Sequence, residues 1–562
     1  MALERQSTGL SAQPSADSRS TKCRATLQDS REYAKRLSEY SKLNPGVSLF
    51  AGGHFENLAT YLNQPYDTRA PNFMRTQDDN DMQKAFKFVS IYDLDPSKER
   101  KPRHFDSVPD FEVEAVKLTE NSSHGHLIFM RGHPSPEWLL SISTRYQIDP
   151  EYLQRHLDFW MGQPECFPLP SLPSTMASMV RLKITTIGGS QNPPSSSNKQ
   201  EHLDSLRSEN TAVKQKYKDQ LKAHKTCQLG DSILRDCSIH DLCHFSLEQD
   251  ISIHICATRK SWAGIIWLDH GNPLSVGLAS SLSLPVDRKD SWQIRYLPTI
   301  QHKPGVALRS RSKLLAPVSS MDRNQSSMPQ SASLLHLDYG RGLDRTALAQ
   351  DPLYALYELF TFAAFSEVQF LNMLDSKMKL ELDHLALIRQ ESTTLSNLVY
   401  HQQVLDRHIT RIRENLTWIE KTCSSNALER DKSKEGMVAA NTLRQDYQHL
   451  LERAQGLLEQ CNRGMQIVMN NAMVKESREA IRQAEGVAKL TRLAFIFIPL
   501  SFTCSFFGMN FAQFGTGNLA IWVWFVVSLP IVTLSLFLMR WEVSSLWRCF
   551  SRRKNKTGVV LA

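Results

Sequence analysis

Three consecutive residues near the end of this 562-residue chain, Gly508, Met509 and Asn510, combine types that suggest ion chemistry. They end a long apolar stretch, and an asparagine amide is costly at membrane depth unless water or another polar group bonds to it. If several copies of the chain surrounded an axis, a ring of Asn510 carbonyl oxygens would form a neutral collar for the water shell of a metal cation. The alternative is an asparagine that caps a membrane helix and bonds to the following loop.

A second set of candidate ligands lies in the middle of the chain, at Cys237, His240, Cys243 and His244. Thiolate and imidazole are zinc ligands, so a regulatory Zn²⁺ site is one interpretation. The set lacks the paired C-x-x-C spacing of a structural zinc knuckle. Buried cysteines and hydrogen-bonded histidines of an ordinary core explain the same residues, and both interpretations stay open.

The apolar stretch that contains Asn510 is long enough to cross a membrane twice. No Asp, Glu, Lys, Arg or His occurs between Leu493 and Met539, and a helical span needs about 20 apolar residues. We expect transmembrane helices at 490–511 and 519–539, joined by a short external loop at 512–518 whose two glycines favour a turn. A buried helical hairpin of a soluble protein is the alternative.

Basic residues flank this stretch on both sides, and the tail at 540–562 carries six lysines or arginines. The positive-inside rule therefore predicts a two-pass integral membrane protein with both termini in the cytosol. The plasma membrane is the favoured location, and the mitochondrial inner membrane and the vacuole are the alternatives.

Residues 351–489, which lead into the first span, show the pattern of a helical stalk. Apolar or small residues recur at alternating steps of four and three from Leu443 to Ala472, and a similar seam runs from Leu398 to Ile419. A polar connection near 424–436 separates the seams, which predicts an antiparallel pair of long helices.

Upstream of the stalk, short apolar runs alternate with helical patterns and predict an α+β cytosolic domain at 126–350. Polar low-complexity stretches suggest mobile insertions at about 190–225 and 301–333, and residues 1–125 are expected to be polar and partly disordered.

Composition excludes several functional classes. A net charge of +8 spread over 562 residues is too small to indicate nucleic acid as a partner, and 22% charged residues exclude a protein with many spans. The sequence has no phosphate-binding loop, nucleophile elbow or spaced acid and base pair, so we expect neither an enzyme nor a bound cofactor.

The string LTRLAFIFIPLSFTCSFFGMNF at 490–511, followed by a short loop, a second apolar segment and a basic tail, resembles the CorA family of divalent cation transporters. The hallmark of that family is a G-M-N triplet at the end of the first of two C-terminal spans. The segment RGHPSPEWLLSISTRYQIDPEYLQRHL at 131–157 also resembles the family's early cytosolic helices, with more divergence.

The resemblance implies a funnel-shaped homopentamer in the lipid bilayer, with the first span around a central pore. It assigns Gly508, Met509 and Asn510 to the selectivity motif and Ser501 to a second polar ring. It also assigns a narrow, mostly apolar stretch of the pore to Val487, Leu490, Ala494 and Ile498. The transported ion would be Mg²⁺ or another divalent cation, driven by the membrane potential.

One departure keeps a second function open. Many members of the family carry an acidic residue in the loop after the triplet, whereas residues 512–518 contain none. A membrane-anchored scaffold or metal sensor that kept this architecture without conducting ions is the alternative to a channel.

Overall fold

The computed structural model describes residues 29–67 except 45 and 47, 86–98, 101–160, 169, 172, 176, 178–189, 199–223, 227–274, 295–301, 330–386, 391–424, 433–508 and 520–537. The chain forms two compact units, Met1–Gly464 and Met465–Ala562.

The first unit is built on a mixed eight-stranded sheet. Its strands run in the order β2-β1-β3-β7-β6-β4-β8, and β5 pairs with β6. Every pairing is antiparallel except that of β3 with β7, in which Ile128 lies opposite Ile265. The strands are β1 (Val89–Asp93), β2 (Arg103–Phe105), β3 (His126–Arg131), β4 (Met179–Gly189), β5 (Asp236–Ile239), β6 (His244–Ala257), β7 (Trp262–Leu268) and β8 (Arg295–Tyr296).

The central strands are buried on both faces. All seven residues of β7 and the first five of β3 are buried, which accounts for continuous apolar runs without polar alternation. The sequence prediction of strands at HLIFM, ISIHICA and WAGIIWLDH is confirmed by β3, β6 and β7.

Five helices pack around one hydrophobic core with this sheet: α1 (Ser30–Ser41), α2 (Glu56–Asn63), α3 (Val108–Asn121), α4 (Pro136–Tyr146) and α5 (Pro150–His156). Proline in the first turn starts α3, α4 and α5, where its missing N–H costs nothing. The shared core includes Tyr33 and Leu58 from the helices and Ile128 and Trp267 from the strands.

The boundary predicted at residue 126 is wrong. Tyr33, Leu58 and Val89 belong to the same core as β3 and β7, so α1, α2, β1, β2 and α3 are parts of the α+β domain. These elements are short and separated by polar segments, and each buries its few apolar residues only against the rest of the domain.

The first predicted mobile insertion also contains regular structure. Residues Lys199–Ala223 form α6, a helix of 25 residues. Arg207 of α6 donates hydrogen bonds to the carbonyls of Ile239 and His240, and its guanidinium lies 4.1 Å from the ring centre of Tyr400. These contacts explain how a polar helix is held to the domain. Of the second insertion, 302–329 lie outside the described residues.

The second half of the first unit is helical: α7 (Arg345–Gln350), α8 (Pro352–Ala386), α9 (Glu391–Ser424) and the beginning of α10 (Lys434–Gly508). The hydroxyl of Tyr447 in α10 donates to the carbonyl of Phe360 in α8, and the thiol of Cys461 to that of Leu398 in α9. The seam residues Leu398, Leu405, Ile409, Leu443, Leu450 and Ala454 are buried. The predicted pair of long helices is confirmed, with α8 as a third member.

The second unit contains the rest of α10 and a shorter apolar helix, α11 (Trp522–Phe537). Among the described residues, α10 is the one helix long and apolar enough to cross a membrane. At 16 residues α11 is shorter than the roughly 20 that a span requires, so the second span stays a prediction.

Candidate functional site

The residues predicted to line a pore share one face of α10. Val487, Leu490, Ala494, Ile498 and Ser501 follow one another at steps of three, four, four and three. At 3.6 residues per turn these positions fall within about 80° of one another around the helix axis. They form a stripe, called the pore stripe below, that is apolar through four positions and ends in a hydroxyl.

The side chains of the pore stripe, except that of the half-buried Ala494, are exposed within the second unit. Val487 is 63% exposed and Leu490 and Ile498 are each 68% exposed, while only 11% of the most apolar 18-residue window of α10 is buried. A contiguous apolar surface of this kind is not stable in water. The segment therefore needs lipid, other protein surfaces, or both.

Hydroxyl groups along α10 differ in their bonding. Thr491 donates to the carbonyl of Val487 at 2.8 Å and Thr503 to that of Leu500 at 2.9 Å, so both are satisfied inside the helix. Within the part of the chain that the structure describes, the exposed Ser501 side chain makes no such bond. Its hydroxyl is the one in the pore stripe and is free to bond to water.

Pro499 lies inside α10, between Ile498 and Ser501. Proline has no N–H, so the carbonyl of Phe495, four residues earlier, loses its usual partner. The pore stripe thus contains a local interruption of the helical hydrogen bonds directly before its polar end.

The described helix ends at Gly508. Met509, Asn510 and the loop at 512–518 lie outside the described residues. The assignment of Gly508, Met509 and Asn510 to a selectivity motif stays a prediction.

The four candidate zinc ligands lie around the turn between β5 and β6. Burial raises the pKa of the Cys237 thiol to about 12, which leaves it protonated at neutral pH and a poor metal ligand. The His240 ring bonds to the Ser246 hydroxyl at 2.8 Å, whereas His244 lies 3.0 Å from the Asp241 carboxylate. Cys243 is half-buried.

No group of three or more His, Cys, Asp or Glu side chains in the described ranges is arranged to hold a metal ion. His240 and His244 are joined through the backbone, but their rings bond to different partners. The zinc hypothesis stays a prediction that this geometry does not favour.

A buried charged cluster that the sequence did not indicate joins the helical bundle to the sheet. His408 of α9 lies 2.8 Å from the Glu367 carboxylate of α8 and 3.4 Å from the Glu248 carboxylate of β6. Burial alone would lower the pKa of His408, but the two carboxylates outweigh it and raise the pKa to about 9. Its charge therefore holds α8 and α9 against β6.

A second buried network fixes α5 to the sheet. Arg235 donates to both carboxylate oxygens of Asp269, at 2.6 and 2.7 Å, and to Asp158 at 2.8 Å. The His156 ring lies 3.2 Å from Asp269 and stacks on Trp267 with ring centres 3.9 Å apart. These partners are up to 113 positions apart, so spacing along the sequence gives no signal for them.

Comparison with known proteins finds a family match in the helical part of the chain. Residues 355–540 match the family model described as "CorA-like Mg2+ transporter protein". None of the curated proteins matches the chain.

Among solved structures, the complete CorA magnesium transporter from Methanocaldococcus jannaschii matches at 14% identity and a TM-score of 0.29. That match covers 64% of this chain and 97% of the other. A TM-score this low does not establish a common fold, so the family assignment rests on the sequence match.

The matched residues 355–540 include most of α8, all of α9, the whole pore stripe and the apolar segment after it. Residues 355–540, about a third of the chain, thus form a CorA-like segment.

Proposed function

We propose that this chain assembles into a channel that conducts divalent metal ions, Mg²⁺ foremost, across a membrane. The observation that carries the proposal is the pore stripe: an exposed, apolar face of α10 that ends in the unbonded hydroxyl of Ser501. The match of residues 355–540 to the CorA-like family model also supports it.

The chemistry of the stripe suits a hydrated divalent ion. Mg²⁺ gives up its water reluctantly, so oxygens that bond to its water shell serve it better than a tight cage of charged ligands. Ser501 would supply one ring of such oxygens and Asn510 another. The rings of Val487, Leu490, Ala494 and Ile498 would close the pathway by excluding water when no ion enters.

One helix does not enclose a pore, so the proposal requires several copies of the chain around an axis. The resemblance to the CorA family favours five. In that arrangement the pore stripes would face the axis, α11 would serve as the second span, and the remaining surface of α10 would contact neighbours and lipid.

The membrane potential would supply the driving force. It is worth about 2.3 kcal/mol per elementary charge per 100 mV, and twice that for a divalent ion. We place both termini on the cytosolic side because basic residues flank the apolar segment at both ends, and we favour the plasma membrane.

Flux measurements on purified protein test the proposal. The wild type and Asn510→Ala would be reconstituted in liposomes that contain a fluorescent Mg²⁺ indicator, under an inside-negative potential. We expect potential-driven entry with the wild type and its loss, or loss of ion selectivity, with Asn510→Ala. Asn518→Ala, an identical change in the predicted loop, is the matched control and should conduct normally.

A folded, oligomeric wild type that passes neither Mg²⁺ nor Zn²⁺ would contradict the channel proposal. The absence of acidic residues from 512–518 makes this outcome worth testing directly. A membrane-anchored scaffold or metal sensor would then be the better account.

A further inference from the structure

Four basic side chains gather where strands β3 and β7 end. Arg131 is the last residue of β3, His270 follows β7 by two positions, His104 lies in β2, and His336 follows the short helix Ser331–Leu334. We call them the basic cluster. The carboxyl ends of two neighbouring parallel strands meet at one edge of a sheet, a common place for ligands.

Glycines let the chain segments approach closely at this edge. A Cβ atom on Gly271 would lie 2.0 Å from the carbonyl oxygen of Gly230, and one on Gly132, whose φ is +66°, would lie 2.7 Å from the same atom. The tight packing fixes the segment that carries His270 beside Arg131. The cluster is therefore positioned by the fold.

Arg131 is the centre of the cluster and lacks a compensating charge. Its Nη2 donates to the carbonyl of Gly271 at 2.9 Å, and its Cζ lies 4.8 Å from the ring centre of Phe86. Among the described residues no carboxylate forms an ion pair with it, and its Nε is fully buried without a hydrogen-bond partner. Burial accordingly lowers the pKa of Arg131 to about 10.

The histidines around Arg131 also have unused nitrogens. His270 and His336 are 6% and 4% exposed, and the Nδ1 atom of each is buried without a hydrogen-bond partner. The rings of His104 and His336 are centred 6.1 Å apart, and Nδ1 of His104 bonds to the Ser90 hydroxyl at 2.8 Å. Burial first, and then the charge of Arg131, lowers the pKa of both His270 and His336.

We propose that the basic cluster binds an oxyanion with phosphoryl chemistry. A guanidinium offers five N–H donors in a planar fork that matches two oxygens of a phosphate, and only one donor is used here. Neutral His270 can supply a further donor through its Nδ1 atom, which has no partner among the described residues. The anion would provide the counter-charge that the described residues do not supply.

One side of the cluster is partly exposed. His104 is only partly buried, and Lys87, which lies close enough to lower the pKa of His104 further, is exposed. A ligand would enter past these two side chains and meet Arg131 behind them. The site lies in the α+β domain and does not depend on the proposed ion conduction.

Calorimetric titration of the full-length chain in detergent with sodium phosphate, at constant ionic strength, tests the proposal. We expect saturable binding by the wild type and at least a tenfold weaker affinity in Arg131→Gln. Arg259→Gln, at an exposed position between β6 and β7, is the matched control and should bind as the wild type does. Parallel titration with glycerol phosphate distinguishes free phosphate from a phosphomonoester as the natural source.

Three results would overturn the proposal: no saturable binding by the wild type, equal binding by Arg131→Gln, or full displacement of phosphate by an equal concentration of chloride. The last would show charge screening without recognition. If Arg131→Gln fails to fold, as judged by its elution profile, the partly exposed His104→Gln replaces it and should also weaken binding. Unchanged affinity in that variant would equally contradict the proposal.

Discussion

At the scale of single residues, the charge on His408 should make the first unit less stable as the pH becomes alkaline. The ring is 1% exposed and lies between the carboxylates of Glu367 and Glu248. In the unfolded chain its pKa returns to the ordinary 6.5, whereas in the fold it is raised to about 9. The folded state therefore holds this proton more tightly than the unfolded state does.

We predict that the contribution of His408 to the free energy of unfolding is complete below pH 6.5 and is lost as the pH rises to about 9. A difference of this size corresponds to about 3 kcal/mol. His408→Gln removes the charge, so it should lower the thermal midpoint at pH 7 and flatten its decline toward pH 9. Unfolding scans of the full-length chain from pH 6 to 9.5 measure both effects.

The exposed His449 provides the matched control, because His449→Gln removes a histidine that lies at the surface of α10. That variant should follow the wild-type pH profile. A wild-type midpoint that stays constant between pH 6.5 and 9 would contradict the assigned role of His408.

At the scale of elements, the pore stripe lets the two sides of α10 be compared. Ile498 lies in the stripe, whereas Ile496 lies about 160° away around the helix axis. Both are exposed within the second unit, at 68% and 38%. The pair therefore separates an effect on the pathway from an effect on the helix.

We predict that Ile498→Ser increases Mg²⁺ entry into liposomes several-fold, because a hydroxyl in place of an apolar side chain lowers the barrier to water in a narrow passage. Ile496→Ser replaces the same residue type by serine in the same helix, with the same cost in helix propensity. It should leave the flux near that of the wild type. Equal increases in the two variants would indicate general loosening of the bundle and would contradict the stripe as the pore surface.

Elements with strong local signals were predicted well from the sequence. The alternating seams gave α9 and α10, since residues such as Leu398 and Leu443 repeat with the helical period and are buried. The helix α6 escaped prediction because its apolar residues are few. Arg207, which binds backbone carbonyls of the β5 end, holds it in place, and sequence periodicity carries no information about such contacts.

The candidate sites differ in the same way in how far the sequence predicts them. Positions of the pore stripe are fixed by counting along one helix, so the sequence placed them on one face. The clusters around His408 and Arg131 join residues from separate strands and helices, and only the folded sheet brings them together. Local spacing predicts what one element presents, whereas buried charge networks depend on tertiary packing.

At the scale of the whole molecule, the proposed assembly of several copies accounts together for the exposed apolar surface of α10 and for the hydroxyl of Ser501. Apolar side chains from Val487 to Phe506 are largely exposed within the second unit, and a helix in lipid alone would gain nothing from a stripe with a hydroxyl at Ser501. Several copies arranged around an axis would give that hydroxyl access to water while lipid covers the opposite faces.

We predict that the detergent-solubilised chain has a mass of about 320 kDa, five times the 64.0 kDa of one copy. Native mass spectrometry measures this directly, and light scattering with correction for bound detergent gives an independent value. The number five comes from the family resemblance, and the need for more than one copy comes from the channel proposal, because one helix does not enclose a pore. A folded chain that remains monomeric in several mild detergents would contradict the proposed channel, because the pore stripe of a single copy cannot enclose a pore.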